Sequence, residues 1–245
     1  MSQNTFTRSG SQSTDPHQSS SSTIQGKAAF YDVDGTLMGA NVLYPYAYYA
    51  LSVPSLTGKI GRIAKLGASL PLYAWADRRG RKFFNDLFYK NYKGISEDRL
   101  VVVGQEMFDT FLRSRIYSDM LALMKQSKAE GFRQVLITGA VSPMIEPLAR
   151  YLEVDDWVAN RLEIDSVGLA TGELVPPVLA GPEKSVWIKH YARTHNLDLN
   201  QCHAYADSAS DIPMLCTVGH PVAVNPDTQL KATADAHQWP IIWAK

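Results

Sequence analysis

Two aspartates close a short apolar run: Ala28-Ala29-Phe30-Tyr31-Asp32-Val33 leads into Asp34-Gly35-Thr36. Three further places carry groups of related chemistry. Thr138-Gly139 follows Gln134-Val135-Leu136-Ile137, Lys184 follows Gly181-Pro182-Glu183, and Asp207 follows His203-Ala204-Tyr205-Ala206, with Asp211 four residues on. Carboxylates, a lysine and a threonine in this set suit phosphoryl transfer, where catalysis is mostly positioning and charge neutralisation. A phosphate monoester is dianionic, and clustered carboxylates alone would repel it. A hard divalent cation removes that repulsion, and Mg²⁺ takes oxygen ligands while keeping waters and a substrate oxygen. Asp32 and Asp207 are the natural carboxylate ligands; one ion would neutralise both and leave Asp32 able to attack phosphorus. Asp34 lies two residues on, with Gly35 permitting a sharp turn, and is placed to protonate a leaving alkoxide and then activate water. Thr138 and the backbone N–H groups around Val33, Asp34 and Gly139 would bind phosphate oxygens. Lys184 would add a point positive charge, with Lys189 as a competing candidate.

These groups can converge only if the chain delivers them to one rim. The runs at residues 28–33, 134–138, 203–206 and 221–224 read as buried strands, with weaker ones at 157–159 and 240–243. Helical patterns lie between them. Residues 117–130 carry Met120, Leu121, Leu123 and Met124 on one side and stop at Gly131. Ser142-Pro143 reads as an N-cap and first helical residue, and Pro182 and Asp227 open two more helices. Strands alternating with helices predict an α/β fold: a Rossmann-like, doubly wound parallel sheet, with ligands outside the strands' carboxyl ends. Residues 162–164 and 173–175, separated by Gly168 and Gly172, predict a β-hairpin. The first crossover is too long, since Asp32 and Thr138 stand more than a hundred positions apart and a βαβ unit needs roughly 30 residues. Residues 41–116 are therefore expected to form an inserted α-helical cap above the first strand. Its apolar stripe is Leu100, Val103, Met107, Phe108, Phe111 and Leu112. The expected catalytic core is residues 25–40 and 117–245. Residues 1–24, dominated by Ser, Thr and Gln, are expected to be disordered.

Bulk properties narrow the function classes. The chain has 245 residues, with 24 basic and 24 acidic side chains. It lacks the basic field that general nucleic-acid binding requires, so no nucleic-acid partner is expected. Cys202 and Cys216 form no C-x-x-C pair and no zinc spacing; both are expected to be small buried residues in a reduced, cytoplasmic protein. The uncharged stretch at 35–58 contains Pro45, Pro54 and three glycines, which argues against a membrane span. His203 is expected to pair with backbone.

Asp32-Val33-Asp34-Gly35-Thr36-Leu37, Ile137-Thr138-Gly139, Gly181-Pro182-Glu183-Lys184 and Asp207-Ser208-Ala209-Ser210-Asp211 occur in the order of four known motifs. Over residues 27–245 the chain resembles the haloacid dehalogenase superfamily, in its phosphoserine-phosphatase-like branch (subfamily IB) with a helical cap. The resemblance implies Mg²⁺, Asp32 as nucleophile and Asp34 as general acid and base. It also implies metal binding by Asp32, the Asp34 backbone carbonyl and Asp207, with Asp211 holding a metal-bound water or Lys184. Val33, Gly35, Thr36, Gly139 and Asn41 fall at substrate-facing positions of the motifs. Two departures matter. Members acting on phosphoserine carry a glutamate nine residues after the nucleophile, where this chain has Asn41, and the fourth motif begins Ala206-Asp207 rather than Gly-Asp. The first departure argues against phosphoserine. A hydrolase group in the same branch shares the fourth motif and a segment like Val224-Asn225-Pro226-Asp227. Relatives of that group occur beside lipid acyltransferases, so a small metabolite phosphate or a lysophospholipid-type monoester is the expected substrate.

The insertion carries two further patterns. Tyr44, Tyr46, Tyr48, Tyr49, Trp75, Phe83, Phe84, Phe88, Tyr89 and Tyr92 read mainly as cap core, or in part as the wall of an apolar pocket. Arg62, Lys65, Arg78, Arg79, Arg81 and Lys82 read as a solvated basic face, or as contact with a second anionic group or a membrane surface. Two rival classes stand beside the enzyme: a phospho-aspartate receiver module, disfavoured by the long insertion, and a catalytically weak phospho-ligand or membrane-surface binding module. Oligomeric state is not legible.

Overall fold

The computed structural model describes residues 26–40, 43–51 and 56–245. The expected disordered segment, residues 1–24, and Asn41 lie outside the described residues, as does the side chain of Arg62. In chain order the elements are β1 (Ala28–Tyr31), α1 (Leu43–Leu51), α2 (Leu56–Arg79), α3 (Arg81–Phe88), α4 (Glu97–Met107), α5 (Ser118–Ala129), β2 (Arg133–Val141), α6 (Ser142–Leu152) and β3 (Asp156–Asn160). They continue as β4 (Leu162–Ile164), β5 (Ala170–Leu174), α7 (Pro182–Thr194), β6 (His203–Ala206), α8 (Ile212–Leu215), β7 (His220–Val224), α9 (Thr228–His237) and β8 (Ile241–Ile242).

Six strands form one sheet in the order β3-β2-β1-β6-β7-β8, with every neighbouring pair parallel. Because side chains alternate along a strand, a sheet covered on both faces needs apolar residues at every position. β1 shows this directly: Ala29 and Tyr31 join one buried cluster, with Met120 of α5 and Leu148 of α6. Ala28 and Phe30 join the other, with Ile188 of α7, Leu215 of α8 and Leu230 of α9. The chain moves from β1 outward to β3, then returns to the other flank at β6. That reversal makes the carboxyl end of β1 a topological switch point, the usual ligand crevice of doubly wound sheets. Register sharpens the placement, since Tyr31 pairs with both Leu136 and Tyr205. Asp32, Thr138 and Asp207 therefore emerge within two residues of a common level.

Helices α1 to α4 form the inserted block. Its interior is aromatic: Tyr46, Tyr73, Phe84, Phe88, Tyr89 and Tyr92 are buried, and the Phe84 and Phe88 rings stack at 5.5 Å. Tyr44, Trp75 and Phe83 of the same aromatic set are exposed instead. The block leaves and rejoins the core through adjacent backbone, where Gly39 N–H donates to Arg115 O at 3.0 Å and Tyr117 N–H to Leu37 O at 2.9 Å. The β4–β5 hairpin stays off the main sheet and bonds to the insertion, with Gly94 N–H on Ala170 O and Ala170 N–H on Ile95 O, both at 2.8 Å.

Several expectations need correction. β2 does not end at Thr138; it continues through Gly139 to Val141, because β3 pairs with it as far as Asn160. Ser142 is the first residue of α6 rather than its N-cap, which is Val141. The hairpin's second strand is residues 170–174, set by the pairing of Ala170 with Ile164 rather than by the apolar run at 173–175. Cys202 is buried but Cys216 is exposed, at the end of a one-turn helix. His203 pairs through Nδ1 with Tyr205 Oη at 3.0 Å, a side-chain partner rather than backbone. Among the described residues no helix is long and apolar enough to cross a membrane.

Candidate active site

Strand β1 delivers Asp32 to the rim, where the residue is only 5% exposed. Asp32 N–H donates to Tyr205 O at 3.0 Å, continuing the ladder one residue past the strand. The chain then turns tightly: Leu37 N–H donates to Val33 O at 2.9 Å, and Gly35 N–H to Met38 O at 2.9 Å. Gly35 sits at φ 84, and a Cβ there would collide with the Asp207 carboxylate. Glycine is thus required twice over, by backbone conformation and by the approach of β6's end.

Lys184 is the third residue of α7, which opens at Pro182 behind Gly181. That start aims the side chain back under the β1 tip. Its ammonium donates to Asp32 Oδ1 at 2.6 Å and lies 2.8 Å from Asp211 Oδ1, with all three side chains buried. Lys189, the competing lysine, is exposed on the outer side of the helix. Asp211 precedes α8 but makes no capping bond there; the short turn before it is capped by Ser208, which accepts from Ser210 N–H. Thr36 is fully buried, and its hydroxyl donates toward Asp32 Oδ2 at 3.3 Å and Asp207 Oδ1 at 3.4 Å. That hydroxyl therefore braces two carboxylates and does not line the cleft. Val33 is likewise buried, with its side chain in the core.

Thr138 and Gly139 stand on the β2 overhang. Thr138 Oγ1 accepts from Ala140 N–H at 3.0 Å. The Gly139 carbonyl is held by two donors, Asn160 Nδ2 at 2.8 Å and Tyr89 Oη at 3.2 Å, the second reaching down from the insertion. Asn160 also accepts from Leu179 N–H at 2.7 Å, pinning the loop before α7. Asp227, at the head of α9, accepts from Ala209 N–H at 2.8 Å, and its own N–H donates to Asp207 O at 2.8 Å. These bonds tie the surrounding segments around one cleft of about 140 Å³, lined by Asp32, Asp34, Thr138, Lys184, Asp207 and Asp211 among others.

The cleft's electrostatics are dominated by crowded acids. Burial, and then the charges of Asp32 and Asp211, push Asp207 up to about 8. Burial and the Asp32 charge push Asp34 up to about 7, against the opposing pull of Arg81 and Lys184. For Lys184 burial works against the ammonium, but Asp211 and Asp32 outweigh it and hold it above the usual lysine range. Asp32, Asp207 and Asp211 each offer a carboxylate oxygen, and these oxygens lie within 4.8 Å of one another. An all-oxygen, anionic donor set of this span fits a hard divalent cation such as Mg²⁺. Beyond burial, the charges of Asp32 and Asp211 hold the Asp207 pKa up, and that repulsion is what such an ion would relieve.

The insertion contributes two lining residues, of which the sequence singled out only Arg81, and then only as one of a basic set. Arg81 and Asn85 come from α3, one helical turn apart, and are the contribution of the insertion to the cleft wall. In the sequence Arg81 sits in a basic run that reads as solvated, and Asn85 lies between aromatic residues with no motif. The docking of α3 over the rim brings both in; the basic run allowed contact with an anionic group without telling Arg81 from its neighbours, and no local signal marked Asn85.

Comparison with known proteins gives a consistent picture. A family model described as haloacid dehalogenase-like hydrolase matches residues 29–216. A phosphoserine phosphatase of Mycobacterium tuberculosis is 30% identical over 223 residues, covering 87% of this chain and 70% of its own. A protein of unknown function from Bordetella pertussis Tohama I superposes with a TM-score of 0.76 at 23% identity, covering 89% of this chain and 98% of that one. A phosphoserine phosphatase solved as a phospho-aspartyl intermediate analogue superposes with a TM-score of 0.67 at 19% identity, covering 89% and 93%.

Proposed function

The chain belongs to the haloacid dehalogenase-like hydrolases, and from that membership we propose a Mg²⁺-dependent phosphatase that hydrolyses a phosphate monoester through an aspartyl-phosphate on Asp32. The observation that carries this reading is the Asp32 carboxylate itself. It stands at the switch point of the sheet, held by Lys184 at 2.6 Å, with oxygens of Asp207 and Asp211 beside it.

Asp32, Asp207 and the Asp34 backbone carbonyl would hold the ion, with Asp211 orienting Lys184 behind them. The bound ion supplies charge neutralisation, letting a carboxylate and a phosphate dianion share the cleft. Asp32 attacks phosphorus and the P–O bond to the leaving group breaks. The raised pKa of Asp34 suits it to give its proton to the departing oxygen, and as a carboxylate it then takes a proton from the water that hydrolyses the acyl phosphate. Lys184 and Thr138 offer donors to the non-bridging oxygens. A cleft of about 140 Å³ is smaller than those that enclose drug-sized ligands, roughly 300–1,000 Å³. That favours a small metabolite phosphate over one carrying an acyl chain. Two free cysteines, one of them exposed, suit a reducing cytoplasm.

Release of phosphate from p-nitrophenyl phosphate tests the proposal. Turnover should need Mg²⁺ and disappear in Asp32→Asn; binding of phosphate without turnover would favour a phospho-ligand binding module instead. A second reading concerns location at a membrane surface. Ile60, Leu70, Leu72, Trp75 and Phe83 are exposed on α2 and α3, beside exposed Lys65, Arg79 and Lys82. Apolar and aromatic groups set among cations suit an anionic bilayer surface. Co-sedimentation with phosphatidylserine vesicles, weakened by salt, is the expected result; no sedimentation at low salt counts against it.

A further inference from the structure

Asn85 is 1% exposed, and neither its Oδ1 nor its Nδ2 meets a hydrogen-bond partner in the protein. Buried carboxamides are almost always paired, because removing their polar atoms from water without compensation is costly. Such a group is either a packing defect or a partner held for a ligand. Its surroundings decide between these. Asn85 lines the cleft that contains Asp32, Asp34 and Thr138. Its Nδ2 lies 3.4 Å from the point where a Cβ on residue 139 would stand, so only a residue without a side chain lets the carboxamide approach the β2 overhang there. Arg81, one turn earlier on the same face of α3, lines the same cleft, and its charge acts on Asp34.

We infer that Asn85 is a specificity-determining residue that binds a hydroxyl on the leaving group, beside the ester carbon, and so selects polyol- or sugar-type phosphate monoesters. The inference rests on the phosphatase reading above and deepens it. A carboxamide with its acceptor and its donors all unused is complementary to a group that both donates and accepts, which a hydroxyl does. An ammonium only donates and would leave Nδ2 unmet. A carboxylate only accepts and would leave Oδ1 unmet. Arg81 adds a cation to this wall, and among the described residues the insertion brings no acid to the cleft. An ammonium-bearing leaving group would therefore meet repulsion and no counter-charge from the cap. Sites built to bond a substrate hydroxyl reject analogues that lack it, because the site's buried polar groups are then stranded.

The test measures kcat/KM of the full-length protein with Mg²⁺ for glycerol 1-phosphate, propyl phosphate, 2-aminoethyl phosphate and p-nitrophenyl phosphate. Glycerol 1-phosphate should exceed propyl phosphate and 2-aminoethyl phosphate by about tenfold or more. Asn85→Ala should bring the glycerol-to-propyl ratio close to one, and Asn85→Asp should raise 2-aminoethyl phosphate relative to glycerol 1-phosphate. Each ratio is internal to one protein, so partial loss of folded material cancels. Should Asn85→Ala not fold, the wild-type ratios and Asn85→Asp still decide. A wild type without preference for the hydroxylated ester, or ratios unmoved by both substitutions, overturns the inference while leaving p-nitrophenyl phosphate turnover intact. Absence of turnover for all four substrates overturns the phosphatase reading and this inference with it.

Discussion

At the scale of single residues, the site is a balance of buried charges that tolerates few changes. Lys184 is the cation between Asp32 and Asp211, and removing one member of a buried ionic cluster strands the others. Lys184→Met should lower stability at pH 8 by about 3–5 kcal/mol in denaturant titrations and reduce phosphatase kcat by about 10²-fold or more. Lys189→Met, an exposed position, should do neither. Gly35→Ala should reduce kcat/KM by about 10²-fold, because relieving the clash with Asp207 displaces that carboxylate. Activity at the wild-type level in Gly35→Ala would show that the two segments are less tightly coupled than their approach requires. The chemistry-bearing residues that stand together here were legible because they follow buried strands or open a helix at short, fixed spacings. Asp32 follows an apolar run, Lys184 follows Gly-Pro-Glu, and Asp207 follows another apolar run. Asn85 was not legible, since its meaning depends on which helix face docks against the core. Thr36 shows the converse: its place in the motif suggested substrate contact, whereas burial turns its hydroxyl to the carboxylates.

At the scale of elements, strands were easier to read than their ends. The run at 134–138 is apolar enough to declare a buried strand, but Gly139 reads as a terminator. Pairing with β3, a long-range contact invisible in local sequence, carries β2 on to Val141. The same overhang presents Gly139's carbonyl to Asn160 and Tyr89, linking sheet and insertion. A second link is the packing of α4 on α6. There Gly104 touches the start of α6, and a Cβ at 104 would run into the Pro143 carbonyl. Gly104→Ala should therefore destabilise by about 1–3 kcal/mol, as overpacking does, seen as a lower Tm. An unchanged or higher Tm would mean that α4 can shift away freely. The aromatic set of the insertion divided as no periodicity could foretell: Phe84 and Phe88 stack inside, while Phe83 faces outward against Trp75.

At the scale of the whole molecule, a sheet and its loop rim concentrate acids in one place beneath a helical insertion, and stability should register that. In the metal-free fold Asp34 and Asp207 keep protons up to about 7 and about 8, whereas unfolded aspartates lose them near 4. The folded state binds more protons across that interval, so metal-free stability should fall as pH rises from about 4 to about 8. Mg²⁺ binds the charged form of the cluster, so its addition should raise Tm more at pH 8 than at pH 5 by scanning calorimetry. An equal rise at both pH values, or none, would mean the acids do not share an ion. All of these layers converge on one claim, that phosphorus is transferred to the carboxylate at the tip of β1. Its most direct measurement is mass spectrometry of acid-quenched Asp34→Asn protein after incubation with Mg²⁺ and p-nitrophenyl phosphate, a variant in which hydrolysis of the intermediate is slowed. A phosphoryl group on the peptide carrying Asp32, absent when Asp32→Asn is added, is the predicted result. Phosphate release by the wild type with that peptide never modified would contradict it.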